Sequence, residues 1–241
     1  MSSTTADPGE IAKFDALAKQ WWDSDGPFRA LHLLNPVRLG YIRERALAHF
    51  GGSKAAPLAG VRALDIGCGG GLVSGPLARM GAQVTAIDAA PEAIGAARAY
   101  GQTAGLSIDF QCTTAEALTT SGERYDMVVA LEIIEHVSDL GAFLSAASAL
   151  VRPGGLCVLS TINRTPKARV LAITAAERIL RWAPLGAHSY DKLVTPDEIR
   201  AGAPDIDWDA PVGIAYNRFG AGWGLSRDTD VNYLMAGARR G

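Results

Sequence analysis

With 241 residues, 48% of them hydrophobic and 20% charged, the chain can bury one sizeable core, and its length allows one domain or at most two. A formal net charge of −2 with no block of lysines or arginines excludes nucleic acid as the main partner, because neutralising a phosphate backbone needs a basic patch. No run approaches the ~18 apolar residues of a membrane span, the opening MSSTTADPGE lacks the basic start and apolar stretch of an export signal, and Cys68, Cys112 and Cys157 sit at neither disulfide nor zinc spacing. The expectation is a cytoplasmic protein with a small-molecule ligand.

Phe14, Leu17, Ala18, Trp21 and Trp22 recur at helical spacing, and NPVRLGYIRERAL predicts a second helix with Asn35 as its cap and Pro36 at its first position. Strands are predicted over 61–66, 83–88, 107–112, 125–131 and 156–161, with helices over 72–80, 91–104 and 139–151 between them. Strands alternating with helices imply a parallel sheet covered on both faces, its ligand beyond the carboxyl ends of the strands. A long insert follows the fifth strand. After it come a helix capped by Thr195 with Glu198 three residues on, and two runs, PVGIAY and VNYLMA, that fit an antiparallel pair at the sheet's edge. The chain reads as a single domain with a helical cap at 1–50 across the ligand mouth, a cofactor-binding core at 60–162, an insert or lid at 163–195 and the last part of the sheet at 196–241.

LDIGCGGG follows the first strand and opens a helix, where a glycine-rich loop lets a ligand approach backbone N–H groups. Taken alone it is equally the tight turn that any strand-to-helix connection needs. Asp88 weighs against that reading, because it ends the second strand 21 residues after Gly67, where a carboxylate can accept both hydroxyls of a ribose. The spacing is D-x-G-x-G-x-G from Asp65 through Gly67 and Gly69 to Gly71, whereas a dinucleotide fingerprint would close on a glycine or alanine at the position of Leu72.

The pattern resembles the first motif of the class I S-adenosylmethionine-dependent methyltransferases, whose loop accommodates the methionine portion of the cofactor. IAKFDALAKQWWDSDGPFRALHLLNPVRLGYI, LDIGCGGG, LEIIEHV, LVRPGG, STINRT and DVNYL stand in the order found in the bacterial ubiquinone-biosynthesis O-methyltransferase family. The tryptophan pair and LNPVRLGYI are the specific parts, since glycine loops are shared across the superfamily. The resemblance implies an α/β, Rossmann-like fold with a mostly parallel seven-stranded sheet and an antiparallel C-terminal edge. It implies S-adenosylmethionine as cofactor, held by Arg38, Asp65, Gly67, Gly69, Asp88 and Leu131, and both O-methylation steps on a polyprenylated phenol or quinol. Leu131 stands where methionine is familiar, a change of similar size and polarity. Other enzymes of ubiquinone synthesis are the implied protein partners.

Methyl transfer to a phenol needs a nucleophilic oxygen, and a phenol of pKa ~10 is mostly protonated at neutral pH. Glu132, Glu135 and His136 fall at offsets of zero, three and four, so a helix would put them on one face. From there His136 can act as a general base, or the three can hold Mg2+ or Mn2+, which acidifies and orients the hydroxyl. The plain alternative is a helix first turn whose acids complement its dipole. His32, His49 and His188 are weaker candidates, His32 as a pocket wall and His49 as a helix end. TTAEAL after the third strand resembles a stretch that approaches adenine, or is a surface turn.

In the insert, Thr165 can cap a helix from Pro166 to Trp182. Lys167, Thr174, Glu177, Arg178 and Arg181 lie on one side, and Leu171, Ala172, Ala175, Ala176, Ile179, Leu180 and Trp182 on the other. Val170 and Arg169 break the pattern; with Arg169 included, four basic residues against one acidic give a charge of +3, suited to an interfacial helix on anionic lipid. That implies peripheral association with the inner face of the cytoplasmic membrane; a lid packed on the domain is the competing reading. Alternative functions are methylation of another small phenol, a nicotinamide-dependent reductase, and a cofactor-binding protein without catalysis.

Overall fold

The computed structural model describes residues 4–172, 189–217 and 222–241. Five strands, β1 (Arg62–Ile66), β2 (Gln83–Asp88), β3 (Ile108–Cys112), β4 (Tyr125–Leu131) and β5 (Val151–Ile162), pair in parallel in the order β3-β2-β1-β4-β5. Beyond β5 the sheet turns antiparallel: β9 (Asn232–Arg239) lies on β5, β7 (Val212–Asn217) on β9, and β8 (Gly222–Ser226) on β7, while β6 (Ile206–Trp208) pairs with the far end of β9. The expected α/β class and antiparallel edge are present, with Val212 opposite Leu234. Among the described residues the sheet has nine strands rather than seven. The two extra ones are IDW and GWGLS, too short or too glycine-rich to give a readable alternation.

Because successive strand residues face opposite sides, each parallel strand feeds two cores. Ala63, Val84, Ala86, Met127 and Val129 pack with Ile42 of α2 (Arg29–Phe50), Leu77 of α3 (Ser74–Arg79) and Ile94 of α4 (Pro91–Thr103). Leu64, Ile66, Ile87, Val128 and Ala130 pack with Leu118 of α5 (Ala115–Thr119), Leu144 of α6 (Leu140–Leu150) and Ile199 of α8 (Pro196–Gly202). Side-chain caps set the helix starts: Asp139 accepts from Ala142 N in α6, and Thr195 and Glu198 form the expected capping box of α8.

The cap differs from expectation in two places. Helix α2 begins at Arg29, so Pro36 lies inside it and Asn35 is no cap; the Asn35 side chain instead donates to the Leu72 carbonyl at 2.9 Å. RALHLL is made largely of good helix formers, and they carry the helix two turns before Pro36, which removes one N–H from the ladder and crowds the carbonyl of His32. The first helix, α1 (Pro8–Leu17), is capped by Asp7 and gives way to a tighter turn at Ala18–Gln20, which carries Trp21 past the helix end. There Trp21 packs with Phe28, Leu72, Ala90 and Ala93 across the carboxyl ends of β1 and β2.

In the insert, Thr165 caps α7 (Pro166–Ala168) as expected, and Ala168 and Ala172 are buried with Ile162 and Leu193. Val170 and Leu171 are exposed, whereas Lys167 is engaged with Asp228 and Asp230. The remainder of the expected interfacial helix, 173–182, lies outside the described residues, as does His188. Among the described residues no helix is long and apolar enough to cross a membrane.

Candidate active site

β1 ends at Ile66 and the chain turns at Gly67 (φ 71°) and Gly69 (φ 51°), backbone angles that favour glycine. The Gly67 and Cys68 amides donate to the Ile87 carbonyl, which ties the loop to β2. Asp88, at the end of β2, accepts from Gly69 N and Ala90 N, both at 2.8 Å, so its carboxylate is fixed at the loop's edge. Burial holds the Asp88 carboxyl above the usual carboxylate range, with these backbone bonds working against it. Asp65 lies deeper, accepts from the Ser74 hydroxyl at 2.5 Å, and is pushed up to about 7, chiefly by desolvation.

A cleft of about 820 Å3, its open mouth included, runs along this edge; Gly67, Asp88, Leu131, Glu132 and His136 line it, with Thr114 and Glu116 on the β3 side. Arg38, Asp65, Gly69 and Glu135 stand behind its walls rather than on them. Gly69 is covered because the Trp21 ring lies on it. TTAEAL is neither bland turn nor plain surface: Thr114 caps α5, and the buried Glu116 carboxylate accepts from the Thr5 hydroxyl at 2.5 Å.

The LEIIEHV segment is not an α-helix. Glu132 takes φ 52°, the only left-handed non-glycine backbone among the described residues, and a single tight turn follows at Ile134–His136. The expected common face is therefore lost, since Glu132 precedes the turn and consecutive residues in such a turn diverge by about 120°. The three side chains go to separate partners. Glu132 meets Arg38 at 3.1 Å and accepts from Ser160 Oγ at 2.7 Å. Glu135, buried, accepts from Thr161 Oγ1 at 2.9 Å. His136 Nδ1 lies 3.0 Å from Glu10 Oε2 of α1, and this hydrogen bond is the main cause that lowers the Glu10 carboxyl to about 2. Among the described residues no three histidine, cysteine, aspartate or glutamate side chains are grouped to hold a metal ion. The donor set read from the sequence does not form a metal shell in this arrangement.

The cap is strapped over the cleft by contacts that no sequence pattern announced. Ala6 bridges Val137, the Ser138 amide donates to the Thr5 carbonyl, and Lys192, just after the insert, reaches Asp7 at 3.3 Å. His32 Nε2 is bonded to the Trp21 carbonyl and His49 Nε2 to the Gly154 carbonyl, so both weaker histidine candidates serve the fold.

A methyltransferase-domain model matches residues 64–159, from the middle of β1 to the middle of β5. Solved structures share the architecture. A magnesium protoporphyrin IX methyltransferase from Synechocystis aligns with a TM-score of 0.65 at 19% identity, covering 95% of this chain and 99% of that one. A possible histamine N-methyltransferase from Thermotoga maritima aligns at 0.63 and 13%, covering 96% and 100%. Sequence relatives lie much nearer. The ubiquinone biosynthesis O-methyltransferase of Azorhizobium caulinodans is 47% identical over 98% of this chain and 95% of its own length. That of Cereibacter sphaeroides is 47% identical over 99% of each, and that of Parvibaculum lavamentivorans is 48% identical over 98% and 95%. With relatives this similar from end to end, the nicotinamide-reductase alternative falls away, and the chain belongs to the ubiquinone biosynthesis O-methyltransferase family.

Proposed function

We propose that the protein catalyses S-adenosylmethionine-dependent O-methylation of a polyprenylated catechol-type ring in ubiquinone synthesis, at both methylation steps. The observation that carries this reading is the fixed Asp88 carboxylate beside a glycine loop, at the mouth of a cleft whose far wall holds His136. Asp88 accepts the ribose hydroxyls, while Gly67, where a Cβ would come within 2.7 Å of the Ile133 side chain, lets the loop pack closely against the segment after β4. Leu131 offers an apolar wall. When bound, S-adenosylmethionine would supply a methyl group on a sulfonium: the C–O bond to the phenol oxygen forms as the C–S bond breaks, and the neutral thioether S-adenosylhomocysteine leaves.

His136 takes the phenol proton in this reading. With Nδ1 donating to the Glu10 carboxylate, Nε2 carries the lone pair, and the carboxylate stabilises the imidazolium once the proton arrives. The ring edge of Phe14 against His136, at 5.3 Å between centroids, fixes its plane. Glu132 and Glu135 are assigned to support rather than to an ion, because each would have to leave a buried partner to reach a common centre. The test is calorimetric titration with S-adenosylhomocysteine, then turnover of a short-chain demethylated quinol before and after exhaustive EDTA treatment. Micromolar binding and chelator-resistant turnover are expected, with His136→Ala inactive. Turnover that EDTA abolishes and Mg2+ or Mn2+ restores returns Glu132, Glu135 and His136 to the role of ligands.

Peripheral membrane association also belongs to this proposal. A polyprenyl tail resides in the bilayer, and the exposed Val170 and Leu171 begin the segment whose sequence suits an anionic lipid surface.

A further inference from the structure

The Trp21 indole lies against the glycine loop. A Cβ on Gly69 would come within 1.8 Å of Cζ2, and one on Gly70 within 2.3 Å of Cδ1, and Nε1 sits between those two carbons on the ring's perimeter. The ring is 6% exposed and stacks on Phe28 with centroids 4.0 Å apart. Its Nε1 is buried and has no hydrogen-bond partner. An indole N–H can only donate, and a buried donor without an acceptor is a standing cost that phenylalanine would avoid while filling much the same space.

The loop's amides cannot accept, those of Gly67 and Cys68 being spent on Ile87 and that of Gly69 on Asp88, and none of its carbonyls makes a hydrogen bond to Nε1. The missing acceptor must come from a ligand or from solvent admitted with it. Trp21 lines the same cleft as Gly67 and Asp88. The glycine loop is where the amino-acid end of the cofactor is placed, and that end carries a carboxylate, the strongest acceptor the ligand offers. Meanwhile the Trp21 backbone is held by His32 Nε2 on its carbonyl at 2.9 Å, which fixes where the ring starts from.

We propose that the Trp21 indole N–H donates to the carboxylate of the amino-acid portion of S-adenosylmethionine, the ring tilting off Gly69 and Gly70 as the cofactor enters. This rests on the cofactor assignment above and adds a binding residue to it.

The test compares two ligands that differ only beyond the thioether: S-adenosylhomocysteine, which has the amino-acid carboxylate, and 5′-methylthioadenosine, which lacks it. Trp21→Phe keeps the stacking ring and removes the donor. Calorimetric titration should show S-adenosylhomocysteine weakened about tenfold or more in the variant, and methylthioadenosine unchanged. Equal affinity of S-adenosylhomocysteine for both proteins overturns the proposal, and so does equal weakening of both ligands, which assigns Trp21 to packing. Wild-type protein that binds neither ligand overturns the cofactor assignment itself. The wild-type chain gives a second reading through proton–nitrogen NMR of its five tryptophan indoles. Saturating S-adenosylhomocysteine should shift the Trp21 indole proton downfield and methylthioadenosine should not; a resonance unmoved by the former overturns the proposal whatever the variant does.

Discussion

Replacing Glu132 by glutamine separates a supporting role from a metal-binding one. The Arg38 guanidinium and the Glu132 carboxylate are 3.1 Å apart with side chains only 3% and 10% exposed, so the substitution leaves a charge buried without its counter-charge. Removing one partner of such a pair costs about 3–5 kcal/mol. Glutamine retains an oxygen acceptor for the Ser160 hydroxyl, which places the expected loss near 3 kcal/mol. For a domain of this size that is about 10 °C in melting temperature. The assay is urea denaturation of wild type, Glu132→Gln, Arg38→Met and the double variant. The double variant should lose less than the two single losses combined, by about 1.5 kcal/mol or more. A Glu132→Gln variant within ~0.5 kcal/mol of wild type, with additive losses in the double variant, would refute the argument that this pair holds the end of β4 in place.

Other consequences follow from the same geometry. Asp88→Ala should weaken S-adenosylhomocysteine by about 2 kcal/mol in calorimetry, since it removes a charge-assisted acceptor. Asp65 has a folded pKa of about 7 against an ordinary 3.8, so the folded state holds its proton more tightly and wild-type stability falls as pH rises from about 4 to about 7. Asp65→Asn cannot titrate, and its stability advantage over wild type should therefore grow across that window and level off above it, as followed by denaturation at pH 5, 6 and 8. Glu10 is lowered to about 2 from 4.5, so the hold of the cap on His136 is complete above pH 4.5 and lost as pH falls toward 2; the protection of cap amides near Glu10, relative to their intrinsic exchange at each pH, should fall below pH 4 in wild type, and the change should vanish in Glu10→Gln. Val170→Asp with Leu171→Asp should reduce sedimentation with anionic liposomes and spare turnover of a short-tailed substrate; equal losses on short- and long-tailed substrates assign the segment to the fold.

What the sequence disclosed and what it hid divide along one physical line. The glycine loop, Asp88, the five parallel strands and the caps at Thr165 and Thr195 depend on residues near one another in the chain, where spacing and turn chemistry act directly. The position of Asn35 misled because a proline at a helix start and a proline within a longer helix look alike when the preceding residues are also good helix formers. The LEIIEHV segment misled more instructively. Offsets of zero, three and four place residues on one face only if the backbone stays helical, and nothing in the residue types marks Glu132 as left-handed. What makes that backbone tolerable lies far away in the chain: Arg38 on α2, Ser160 on β5 and Asn232 on β9 all address the Glu132 side chain. A strained residue persists when its surroundings over-determine it, and here three elements converge on one carboxylate at the edge of the cleft. The same reasoning covers Trp21. Its helical spacing with Phe14 and Leu17 was legible, but its seat on Gly69 and Gly70 follows from the helix ending at Leu17, and the ring can lie that close only because neither residue has a Cβ. The loop glycines thus meet two demands at once, a backbone turn after β1 and room for an aromatic cap, and an alanine at position 69 would fail both.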